Sequence, residues 1–168
     1  MRLTSSLALL LLGAQIGSSH AAETTIPDAL IAAGEKAVLT LHAEGAQVYE
    51  CKTDKDGKLA WTFREPIASL FEDGKTVGRH YAGPSWEHQD GSIVGGRVQG
   101  TAIGATDNDI PWLKLAVVAH RGSKGVLSDV TTVQRINTSG GKLEGACETA
   151  GQLRSVAYSA DYVFLQKQ

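Results

Sequence analysis

Three Asp-Gly dipeptides, Asp56-Gly57, Asp73-Gly74 and Asp90-Gly91, each stand between runs that alternate in polarity. Asp-Gly is a strong short-range hairpin signal, because glycine accepts the positive φ that a tight two-residue turn demands. Ahead of the first turn, Gln47, Tyr49 and Cys51 alternate with Val48 and Glu50; after it, Leu59, Trp61 and Phe63 share a face opposite Thr62 and Arg64. The second turn separates Ala68–Phe71 from Thr76–Tyr81, and the third separates Trp86 from Ile93-Val94. Further on, Leu113, Leu115 and Val117 alternate with Trp112, Lys114 and Ala116, and Val130–Ile136 is rich in the β-branched residues that favour strands. Val156, Tyr158, Ala160, Tyr162 and Phe164 form a one-sided stripe that predicts a last strand closing the sheet. Ala37–His42 reads as an opening strand with a turn at Glu44-Gly45, and Pro27–Ala33 as one short helical turn ended by Gly34. The expectation is an all-β, single-domain β-sandwich or barrel of many short, mostly antiparallel strands, with at most one or two short helical turns.

The amino terminus sets the compartment. Arg2 precedes an apolar run, Leu7–Leu12, and then the small residues Gly17-Ser18-Ser19-His20-Ala21-Ala22. These are the parts of a cleaved secretory signal peptide, residues 1–22, which leaves residues 23–168 as a single all-β domain. A transmembrane helix needs about 20 consecutive apolar residues, and no run here reaches that length, so the expected location is periplasmic or secreted. In such an oxidising compartment Cys51 and Cys147 are expected to form a structural disulfide. The formal net charge of −2, with Lys and Arg scattered, gives no reason to expect nucleic acid as a partner.

Potential chemistry is concentrated between Arg79 and Ser92. No dinucleotide fingerprint is present, since Gly95, Gly96, Gly100 and Gly104 lack its spacing. Gly83-Pro84-Ser85-Trp86-Glu87 lacks the second glycine of a nucleophile elbow. Glu87 and Asp90 flank a hairpin tip, where carboxylates are ordinarily solvated and unshifted. A metal site on His80, His88 and His120 is the sharper alternative, because imidazole suits zinc or copper and β-scaffolds gather ligands from distant strands. No cofactor is otherwise expected. For plain binding, Tyr81, Trp86 and Trp112 would line a pocket in which Arg79, His80 and Glu87 fix a polar ligand. Trp61 and Phe63 read as core. Arg135 sits in the β-branched run with Gln134 on the opposite face; a buried arginine there would need a carboxylate partner.

Several blocks resemble one family. Gln47-Val48-Tyr49-Glu50-Cys51, His80-Tyr81-Ala82-Gly83-Pro84-Ser85-Trp86-Glu87 with Asp90-Gly91-Ser92, Ile110-Pro111-Trp112-Leu113, Val133-Gln134-Arg135-Ile136-Asn137-Thr138 with Gly140-Gly141, and Tyr158-Ser159-Ala160-Asp161-Tyr162 resemble the secreted bacterial and fungal family designated domain of unknown function 3455. The resemblance implies export and one β-rich domain, and brings no established activity. Some relatives carry a malate dehydrogenase label, which the missing dinucleotide fingerprint disfavours here. Lys114 and Thr132 are more polar than the pattern suggests at those places. The expected function is non-enzymatic binding of a small molecule or an envelope or surface component. The alternative is an extracytoplasmic metalloprotein or hydrolase using the histidines.

Overall fold

The computed structural model describes residues 25–168, so the leader read at residues 1–22 lies outside the described residues. Eight strands form one antiparallel sheet closed into a barrel in chain order. They are β1 (Glu35–Thr53), β2 (Leu59–Glu72), β3 (Lys75–Tyr81), β4 (Ser85–His88), β5 (Ser92–Ala102), β6 (Trp112–Gly122), β7 (Thr132–Gly140) and β8 (Leu153–Lys167). The expected all-β class holds, and the choice between sandwich and barrel falls to the barrel. The Val156–Phe164 stripe lies on β8, which pairs with β1 and so removes the free edges that an open sheet would expose. Among the described residues no helix is long and apolar enough to cross a membrane.

The Asp-Gly signals fall where hairpins form, between β1 and β2, β2 and β3, and β4 and β5. At the second, Asp73 and Gly74 both take positive φ, 49° and 74°, as a turn matched to the twist of its strands requires. The turn expected at Glu44-Gly45 is absent: β1 runs straight through it. Gly45 pairs with Ala68 on one side and Tyr158 on the other. A Cβ there would collide with the Ile67 carbonyl and Ala68, so this glycine serves close strand approach, not a reversal. For that reason β1 is 19 residues long instead of two short strands.

The helical turn is a 3-10 turn, Asp28–Leu30, laid on the outer face of the barrel. Leu30 is fully buried, Gln134 Nε2 donates to its carbonyl at 2.7 Å, and Lys114 Nζ donates to the Ile31 carbonyl at 2.9 Å. Here lies the use of the polar Lys114: it satisfies one backbone oxygen of a segment that covers the sheet. Thr132 is buried despite its hydroxyl.

Alternation along each strand sends one residue in two to the interior. Leu41, Leu70, Val77, Trp86, Val94, Leu115, Val133, Tyr162 and Phe164 meet there, and the loop between β6 and β7 adds Leu127 and Val130. Each such side chain stabilises the fold by about 1.5–3 kcal/mol when fully buried. That loop is pinned by Asp90, whose carboxylate accepts the Val126 amide at 2.8 Å and the Ser92 hydroxyl at 2.6 Å.

The other end of the barrel is not filled. Trp61 and Phe63 lie opposite Cys51 and Tyr49, on the inward side as their spacing suggests, but they are not core. Phe63 is 50% exposed. The cause is strand length: the β1–β2 hairpin projects past β3 and β4, which have only 7 and 4 residues. Nothing on those strands reaches far enough to cover it.

Candidate functional site

β3 and β4 meet at the Gly83-Pro84 corner, whose peptide is cis. Their register places His80 directly across from Trp86, both facing inward. The rings stack at 4.7 Å between centroids with an interplanar angle of 13°. Tyr162 from β8 meets the pair, edge-on to Trp86 at 5.4 Å and tilted against His80 at 4.8 Å. His80 Nδ1 lies 2.9 Å from the Ser85 carbonyl oxygen, which can only accept, so Nδ1 carries the proton. Burial pushes the His80 pKa down to about 3, against the opposing pull of the Ser85 bond. The imidazole is neutral at ordinary pH.

Above this stack, toward the unfilled end, lies a cavity of about 570 Å³. That is within the range of roughly 300–1,000 Å³ typical of small-molecule sites. Its walls differ. Pro66, Trp86, Val98, Leu113 and Leu115, from β2, β4, β5 and β6, make an apolar side. Gln47, Arg135 and Tyr162, from the adjoining strands β1, β7 and β8, make a polar one. Gln47 is 2% exposed, and its Nε2 has no hydrogen-bond partner although the amide borders the Tyr158 hydroxyl. The buried Trp86 Nε1 also lacks an acceptor.

Arg135 shares the inward side of β7 with Val133 and lies across from Leu113 and Tyr162. Its Nε and Nη2 donate to the Pro111 carbonyl at 3.1 and 2.8 Å, and its charge acts on the neighbouring Tyr162 hydroxyl. Tyr162 Oη in turn lies 3.3 Å from Tyr158 Oη. Burial raises the pKa of both phenols, so they present neutral hydroxyls. Among the described residues no carboxylate forms an ion pair with Arg135.

A second cavity of about 560 Å³ adjoins the first and shares Tyr49, Phe63, Ile110 and Pro111 with it. Tyr49 Oη donates to the Gly141 carbonyl at 2.8 Å and accepts the Leu143 amide at 3.3 Å, which ties the loop after β7 to the barrel mouth. The same loop is stapled to the end of β1 by the Cys51–Cys147 disulfide.

Of the residues singled out for ligand binding, His80 and Trp86 line the cavity and touch each other. Arg79, Tyr81 and Glu87 lie on the outer face of the same strands. Arg79 Nη2 donates to Glu87 Oε2 at 2.8 Å, Tyr81 Oη donates to the same oxygen at 3.3 Å, and the guanidinium stands 5.1 Å from the Tyr81 ring. Trp112 shares the outward side of β6 with Lys114 and does not line the cavity. The histidines point to separate partners: His88 Nδ1 is 3.1 Å from Asp90 Oδ2, and His120 Nε2 donates to the Val130 carbonyl at 2.9 Å. Among the described residues no group of three or more His, Cys, Asp or Glu stands close enough to hold a metal ion. His88, which its position beside a turn suggests is exposed, is buried.

Gln47, Arg135 and Tyr162 complete the polar wall and were not legible as a site. Arg135 carried a partial signal, its parity with Val133, which directs it inward. The approach of β1, β7 and β8 depends on barrel closure, which no local pattern encodes.

The family model described as a protein of unknown function, DUF3455, matches residues 32–166, and the chain belongs to that family. No curated protein and no solved structure matches the chain.

Proposed function

We propose that this chain is an exported, non-enzymatic binding protein that takes one small amphipathic molecule into the unfilled end of its barrel. The observation that carries this reading is the cavity itself. A barrel of eight strands has an interior just wide enough either to be filled by side chains or to hold one small ligand. Here one end is filled and the other retains about 570 Å³, walled by the His80–Trp86 stack and by polar groups without full partners. A buried amide nitrogen left without an acceptor costs about 1–3 kcal/mol, and a ligand oxygen relieves that cost. The Cys51–Cys147 disulfide fits the oxidising compartment that the amino-terminal leader implies.

The experiment is titration with a neutral apolar fluorophore, N-phenyl-1-naphthylamine, in the mature chain. Saturable binding of one probe per chain is expected, with loss in Leu113→Trp, which fills the cavity from β6. Absence of saturable binding, or binding unchanged by that substitution in a variant that still melts cooperatively, overturns the proposal.

A further inference from the structure

We infer that the ligand is an organic monoanion, a carboxylate on an apolar body, held head-first by Arg135. This rests on the binding reading above and names the chemistry of the same cavity.

Arg135 enters the barrel instead of leaving it, because its parity on β7 is that of the core residue Val133. A guanidinium carries five N–H donors in a planar fork. Its hydrogen-bond partner here is a neutral oxygen, the Pro111 carbonyl, with the neutral Tyr162 hydroxyl beside it. A cation drawn partly out of water and given only neutral partners keeps much of its desolvation penalty. A carboxylate matches the fork in shape and removes that penalty.

Charge counting sets the valence. Arg64, the other cation lining the cavity, stands at the rim and is bridged to Glu65 at 3.2 Å. His80 contributes no charge, since burial keeps it neutral. One unit of positive charge remains, enough for a carboxylate and too little for a phosphate dianion. The division of the walls then fixes the pose. The head group lies against β1, β7 and β8, where Gln47 Nε2 offers a further donor, and the apolar body lies along Trp86, Leu113 and Leu115.

Displacement of bound N-phenyl-1-naphthylamine by decanoate, decan-1-ol and decylamine reads the head-group preference. Decanoate is expected to displace the probe at a concentration at least about tenfold below that of decan-1-ol, a difference of about 1.4 kcal/mol, with decylamine no better than the alcohol. Arg135→Gln is expected to bring decanoate to within about twofold of decan-1-ol, each displacement being read against that variant's own probe affinity. Equal displacement by acid and alcohol in the parent protein, or an acid preference that survives Arg135→Gln, overturns the inference and leaves the binding reading standing. Failure of the probe to bind at all overturns the binding reading and the inference with it. If Arg135→Gln does not fold, Arg135→Lys replaces it: losing the fork but keeping a charge, it is expected to weaken decanoate about threefold relative to decan-1-ol, and an unchanged ratio overturns the inference.

Discussion

His80 and Trp86 face each other across the β3–β4 pair with their rings 4.7 Å apart and nearly parallel, and Tyr162 closes over both. The stack is the boundary between the filled core and the cavity. It requires a neutral imidazole, since a proton on the ring would put a charge where water does not reach.

That requirement makes stability depend on pH. The folded pKa of His80, about 3, lies below its ordinary value of 6.5. Between those values the unfolded chain binds a proton that the folded chain refuses, so the stabilisation is complete above about pH 6.5 and is lost as pH falls toward 3. The slope from this one group approaches about 1.4 kcal/mol per pH unit inside the window. Asp90 acts lower. Burial pushes its carboxyl up, but bonds from Ser92, the Val126 and Ser92 amides and His88 outweigh this and hold it well below the usual carboxylate range. Its contribution is present above about pH 4 and fades below that. Urea midpoints of the parent and of His80→Phe between pH 7 and 4 separate the two groups. The phenyl keeps the stack but leaves the Ser85 carbonyl without its donor, so His80→Phe is expected to be less stable at pH 7 by about 1–3 kcal/mol, with a shallower fall toward pH 4. Parallel curves would show that His80 is not the titrating group.

The disulfide joins the end of β1 to the loop between β7 and β8 across a sequence separation of 96. Backbone bonds reinforce the junction, from the Cys147 amide to the Leu59 carbonyl at 3.2 Å and from the Trp61 amide to the Gly145 carbonyl at 3.0 Å. Replacing both cysteines by serine is expected to lower stability by about 2–4 kcal/mol, the usual contribution of a bridge that closes a long loop. Thermal melting with and without reductant checks it: the parent should lose several degrees on reduction, and the double variant should not respond.

Trp86 and Phe63 are both large aromatics on the inward side of the barrel, and they are expected to differ in what they hold together. Trp86 is 1% exposed and wedged among His80, Tyr162 and Phe164, whereas Phe63 is half in solvent. Trp86→Ala is expected to destabilise by about 3–5 kcal/mol, the cost of truncating a buried aromatic. Phe63→Ala is expected to cost under about 1 kcal/mol in the absence of ligand. Comparable losses for the two in denaturant unfolding would mean that the barrel mouth is packed as tightly as its core.

The same contrast shows what the chain discloses to a reader of its sequence. Period-two patterning identified Leu113, Leu115, Tyr162 and Phe164 as sharing a face with their strand neighbours, and Asp-Gly placed three hairpins, because both signals are local. Patterning assigned Phe63 to the same inward face correctly but could not say whether anything lies opposite. That depends on the brevity of β3 and β4, which fixes how far the barrel is filled. Gly45 looks like a turn in the sequence because the backbone that a Cβ would strike, at Ile67 and Ala68, belongs to another strand. The site shows the same limit. His80 and Trp86 are six residues apart in sequence and join through one corner, so a sequence window holds them both. Arg135 and Gln47 come together only when β8 closes against β1, and their polarity looks unremarkable until the cavity between them exists.

Gln47 offers the sharpest separation of folding from function. Its side chain is buried on the inward side of β1, its Nε2 has no partner, and it lines the cavity beside Tyr162. For folding alone such a donor is a liability of about 1–3 kcal/mol, and methionine offers similar length and volume without it. Gln47→Met is therefore expected to raise stability by about 1 kcal/mol while weakening decanoate more than decan-1-ol, since a carboxylate oxygen is a stronger acceptor for the amide than a hydroxyl. Denaturant unfolding and probe displacement on one preparation measure both effects. A variant that is less stable and binds decanoate as the parent does would place Gln47 among the structural residues, with its amide serving the barrel wall and not the ligand.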